Sequence, residues 1–143
     1  MFFAKLHPLI VHFPVGLLVS GALFEVYGKL RKEEAVRVAG WFNVRLGFWC
    51  ALVVMAVGFL GMLSLENTEK FKSFLGNHIL FAFSTVLIFL SALLISRFVK
   101  GRWGGVLYYV LLLLGLVSAL ATGYCGGELV HRFGVATANP PLN

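Results

Sequence analysis

Aspartate is absent from this chain, so all six of its acidic residues are glutamates. Charged residues of both signs make up 13% of its 143 residues, about half the share of a water-soluble domain. Hydrophobic residues reach 59% and mean hydropathy is +0.90. There is too little polar side chain here to cover a globule, so the solvent is lipid. Cysteine is nearly missing. Cys50 and Cys125 fall at different depths of their spans, which argues against a disulfide, and no CxxCH is present for covalent haem attachment. The chain also lacks a nucleotide-binding glycine loop, paired carboxylates and a nucleophile with a base beside it, which removes hydrolases and nucleotide enzymes. No low-complexity tract, second soluble domain or internal repeat is evident, and residues 1–143 read as one domain.

What is present is long apolar runs. Four stretches, near Pro8–Gly28, Leu46–Leu65, Ile79–Phe98 and Val106–Cys125, meet the roughly 20 residues a bilayer crossing needs. The connections between them are short and polar. The fold class expected is all-α: a four-helix antiparallel transmembrane bundle, since an open sheet cannot satisfy its backbone in lipid. The first span has no A-x-A-like site after it and reads as retained. Lys29, Arg31, Lys32, Arg37, Arg45, Arg97, Lys100 and Arg102 fall on one side; Lys5, Lys70, Lys72 and Arg132 fall on the other. The richer side is expected in the cytoplasm. Both termini then lie on the outer face of a bacterial inner membrane. The net charge of +6 follows from this topology and does not indicate nucleic acid. Trp41 and Trp103 sit where interfacial anchors belong. Glu25 reads as a snorkelling side chain near Arg45.

All four histidines fall on the outer side. His7-Pro8 reads as a helix start, where proline is favoured. Pro14 loosens the backbone one turn ahead of it. His12 lies about 6 Å below the start, which predicts His12 inside the bundle and His7 at the rim. Phe71, Phe74, Leu75, His78, Phe81, Ala82 and Thr85 form one helical stripe, so His78 points inward and its helix begins near Glu69. Tyr124, Gly127, Glu128 and His131 share a face if the last helix runs through Gly126-Gly127; if the glycines end it, that geometry fails. Glycines cluster at the same end, at Gly58, Gly61, Gly123, Gly126 and Gly127. They permit close helix packing, or room for a flat macrocycle.

The element "HPLIVHFP", the histidine opening the third span and "GGELVHRFGV" after the fourth resemble a family of small bacterial four-span membrane proteins with an HPLxVHFP signature. The resemblance covers nearly the whole chain. It implies motif positions at His7, His12, Pro14, His78, Gly126 and Gly127. Relatives often carry histidine where this chain has Tyr124 and Phe133. Some are joined to Rieske-type or other electron-transfer domains, which implies a redox setting.

Three functions follow. The first is a haem b electron-transfer subunit, with one or two haems, His12 and His78 as the axial pair, and His7 and His131 at the rim. Electrons would pass between a membrane quinol and an outer-face cytochrome or iron–sulfur partner, in an oligomer or larger complex. The second is a copper or zinc site built from three or four of His7, His12, His78 and His131 with Glu128. The third is a cofactor-free structural subunit of a respiratory complex.

Overall fold

The computed structural model describes residues 2–63 and 69–135. Five helices occupy them: α1 (Phe2–Ile10), α2 (His12–Arg31), α3 (Glu34–Met62), α4 (Glu69–Phe98) and α5 (Arg102–His131). No strand occurs among the described residues. α1 and α2 form one run interrupted only at Val11, so four helices are long and apolar enough to cross a membrane. The end expected for the second span, Leu65, lies outside the described residues.

Each crossing is 28 to 30 residues long, about 42–45 Å at 1.5 Å per residue. The hydrocarbon core is about 30 Å thick. The helices therefore overrun their apolar stretches and carry their ends through the headgroup layers. At most 33% of the residues in any span's apolar window are buried. The periphery of the bundle exposes Leu23, Phe24, Val53, Leu87, Leu113 and Val117, a surface suited to lipid.

The break at Val11 has a local cause. Pro14 has no N–H to give the carbonyl of Ile10, and its ring crowds that turn. Pro8, expected at a helix start, lies inside α1; the helix already begins at Phe2.

Two hairpins make up the bundle. In the first, α2 turns at Lys32, which takes a left-handed conformation (φ 58°) and closes on the carbonyl of Gly28. α3 then returns along α2. Glycines let the backbones nearly touch. A methyl group added at Gly40 would lie 2.6 Å from the Glu25 nitrogen, and one at Gly28 would lie 2.6 Å from the Arg37 nitrogen. In the second hairpin, α4 and α5 pair along their length, with the Phe89 ring packed onto Gly115. Leu18, Val44, Phe48, Phe89, Tyr108 and Leu112 join the hairpins in one core.

The hairpins repeat each other, although the sequence shows no evident internal repeat. Gly47 packs on Leu18 as Gly115 packs on Phe89. Eleven residues separate His7 from Leu18, and eleven separate His78 from Phe89; the same interval separates Gly47 from Gly58 and Gly115 from Gly126. Eleven residues are three helical turns, so all four positions keep their faces. The hairpins run in the same sense, the arrangement of a parallel repeat about an axis along the bundle.

Candidate functional site

The repeat brings two histidines to its axis. His7 on α1 and His78 on α4 have ring centres 6.1 Å apart and ring planes at 89°. Each is half-buried, and each is held by the partner helix of its own hairpin. His7 Nδ1 donates to the Val54 carbonyl at 3.0 Å. His78 Nδ1 donates to the Thr122 carbonyl, also at 3.0 Å. One turn further along, Gly58 and Gly126 meet the Cε1–Nδ1 edges of these rings; an added methyl would come within 2.7 Å of His7 and 3.1 Å of His78. The device is the same twice: an imidazole laid on a glycine, with its Nδ1 proton given to the carbonyl four residues earlier. This protonation leaves the Nε2 lone pair free.

Among the described residues neither Nε2 has a hydrogen-bond partner, yet no buried side-chain nitrogen or oxygen is unsatisfied. Both atoms therefore open onto space. That space is a cavity of about 130 Å³ between the hairpins. Its walls, such as Val11, Leu18, Ala51, Val86 and Ala119, are almost wholly apolar, and its mouth reaches Phe59 and Phe83, which are more than half exposed to the lipid side. Below the His78 anchor, Thr85 donates to the Phe81 carbonyl and lies 2.9 Å from Ser118 Oγ and 3.3 Å from Thr122 Oγ1. These hydroxyls tie α4 to α5 at the turn that carries the Thr122 carbonyl.

His12 does not face this cavity. It is exposed on the lipid side of α2, which corrects the expectation that it lies inside the bundle with His78. The inward stripe of the first crossing is Ala4, His7, Val11, Pro14, Leu18, Ala22 and Glu25, and His12 falls one residue off it. Depth along the helix suggested His12; direction around it selects His7. α5 runs through Gly126-Gly127 to His131, but His131 and Tyr124 are exposed. Glu128 lies 3.6 Å from Arg132, not beside an imidazole. Among the described residues no three of His, Cys, Asp and Glu gather as a metal-binding group, so the arrangement of three or four histidines with Glu128 does not form there. Phe133 caps this end, with ring centres 6.1 Å from Phe71 and 5.4 Å from Phe74.

Glu25 departs from its expected place at the membrane edge. It is fully buried and does not snorkel. Its two carboxylate oxygens accept the hydroxyls of Tyr108 (3.0 Å) and Tyr109 (3.3 Å). Arg45, its expected neighbour, stacks on Trp41 with the guanidinium 4.4 Å from the ring centre. The adjacent tyrosines in "YY" were the available signal, since two phenols on a membrane helix need a buried acceptor.

A family model described as a predicted membrane protein, DUF2231, matches residues 4–139. The chain belongs to the DUF2231 family. The match takes in both hairpins and both members of the histidine pair. No curated protein and no solved structure matches this DUF2231 chain.

Proposed function

We propose that this DUF2231 protein is a membrane-embedded electron-transfer subunit that binds haem b between its hairpins, with His7 and His78 as the axial ligands. The observation that carries the reading is the paired imidazoles: ring centres 6.1 Å apart, each Nδ1 committed to a carbonyl. Two imidazoles bound on opposite sides of one metal ion, at about 2.0–2.1 Å, place their ring centres about 6.3 Å apart. A ligating histidine nearly always gives its other N–H to such an acceptor. That separation and the two uncommitted Nε2 atoms support haem iron as the ligand. The enclosed volume is below the 300–1,000 Å³ of pockets that swallow a large ligand whole, so the lipid-side mouth at Phe59 and Phe83 would hold the macrocycle's edge.

Haem bound there supplies a one-electron couple. The chain's residues do the rest. The Val54 and Thr122 carbonyls fix both tautomers and make each Nε2 a stronger donor. Gly58 and Gly126 let the rings lie against the helix backbones. The apolar walls keep water from the iron, one of the ways a protein sets a haem potential. The lateral mouth supports a quinol in the bilayer as one electron partner. A cytochrome or iron–sulfur protein on the outer face is the other, within a larger assembly. The basic asymmetry supports an inner-membrane orientation with the histidine end outward.

A second reading follows from the small volume and the count of two ligands: a copper(I) ion held linearly by the same two Nε2 atoms, since imidazole suits copper. The visible spectrum of the detergent-purified protein, air-oxidised and then dithionite-reduced, separates the readings. Sharp reduced bands with pigment extractable by acid–acetone support haem b. A colourless protein with about one copper per chain supports the second reading and removes the first. A preparation with neither, after growth with iron and copper supplied, contradicts both.

A further inference from the structure

At the end of the bundle opposite the histidines the hairpins part around a second cavity, of about 840 Å³. Its lining holds five basic residues, Lys29, Arg37, Arg45, Arg97 and Lys100, drawn from α2, α3, α4 and the turn after α4. Glu25 is its one carboxylate, and both oxygens of Glu25 are already taken by Tyr108 and Tyr109. Arg37 is paired with Glu34 on its own helix. Arg97 and Lys100 have no carboxylate partner among the described residues, and both are exposed. Cations without a carboxylate partner on the wall of a cavity that large favour an anion there. The cavity also has an apolar side. Phe48, Trp49, Leu90 and Leu94 line it, and Trp49 and Leu94 are 60% and 47% exposed. The anion's remainder therefore lies along a lipid-facing groove between α3 and α4.

We infer that this cavity binds an anionic glycerophospholipid, with its phosphate among Arg45, Arg97 and Lys100 and an acyl chain against Trp49, Leu90 and Leu94. Basic pockets between transmembrane helices bind headgroups of this kind. The polar part of such a ligand meets guanidinium and ammonium donors, and its chain meets aromatic and leucine side chains. Neither requirement alone needs this cavity; a free phosphate would leave the apolar half without use, and a neutral lipid would leave the cations without use. In the orientation proposed above, the site faces the cytoplasmic leaflet. Bridging α3 and α4, the lipid would join the two hairpins at the end where no histidine pair does so.

The test uses the tryptophans. Trp41 and Trp49 line the cavity, while Trp103 is 81% exposed, so Trp103→Phe leaves two reporters at the site. The full chain is reconstituted with brominated phosphatidylglycerol or brominated phosphatidylcholine at equal mole fraction, and quenching is compared. The site predicts stronger quenching by the anionic lipid. Arg97→Gln or Lys100→Gln should each reduce that preference by up to about five-fold at low salt. Lys5→Gln, which removes one exposed charge at the histidine end, should leave the preference unchanged. Equal quenching by both lipids overturns the site. An equal loss of preference in Lys5→Gln does so too, because the effect is then general electrostatics. If inorganic phosphate removes the preference where sodium chloride of matched ionic strength does not, the anion is free phosphate and the lipid assignment is wrong.

Discussion

The two hairpins hold their histidines in the same way but are built differently around them. The first is closed by glycine: at Gly21 and Gly28 on α2 and Gly40 on α3 backbone nearly meets backbone, while Gly47 takes the Leu18 side chain. The second is closed by a phenyl ring on Gly115 and by the hydroxyl cluster of Thr85, Ser118 and Thr122. In lipid there is no hydrophobic gain from pressing two apolar helices together, so association needs close packing or interhelical hydrogen bonds. The first hairpin uses mostly the former and the second uses both. A shared histidine–carbonyl–glycine geometry on two different scaffolds indicates that the geometry is the constrained feature and the scaffold is the adjustable one.

The largest difference between the hairpins should appear where helix packs on helix, at Gly40 and at Gly115. Gly40→Ala puts a methyl 2.6 Å from the Glu25 nitrogen and 2.8 Å from the Gly21 carbonyl, atoms of backbone that cannot step aside. The expected cost is about 1–3 kcal/mol. Gly115→Ala meets only the Phe89 ring, at 2.8 Å, which can shift. Unfolding of the two variants in mixed micelles by sodium dodecyl sulfate should rank Gly40→Ala well below Gly115→Ala. The reverse order would mean that glycine contact is not what closes the first hairpin.

A smaller and more local contrast lies at the rings. Gly58→Ala crowds the His7 ring at 2.7 Å, and Gly126→Ala crowds the His78 ring at 3.1 Å. Both folds should survive. Haem content should fall further in Gly58→Ala than in Gly126→Ala, read as pigment per protein from the reduced spectrum. Equal retention in both would show that the glycines do not position the rings.

Most of the fold was legible. Run length and composition gave the four-span helical bundle, and the Phe71-to-Thr85 stripe located both the start of α4 and the inward direction of His78. The same stripe rule, applied to the first crossing, finds Ala4, His7, Val11, Pro14 and Leu18 and would have selected His7. Depth along the helix, which favours His12, does not say which way a side chain points. The repeat was hidden because its matching positions share geometry more than identity: Leu18 answers to Phe89, and the Val54 and Thr122 carbonyls belong to backbone, which leaves no mark in sequence. Glu25 was misjudged because its partners, Tyr108 and Tyr109, lie more than 80 residues away along the chain. Only the folded bundle brings the two hairpins' ends together.

The central claim is that one site on the repeat axis is made by His7 and His78, and not by His12. It is tested most directly by low-temperature EPR and visible spectra of four purified single variants. His7→Ala and His78→Ala should each remove one axial ligand and abolish the low-spin ferric signal, while His12→Ala and His131→Ala should retain it. In the parent protein the ring planes at 89° predict a strongly axial low-spin signal. Loss of that signal in His12→Ala with its survival in His7→Ala would contradict the account.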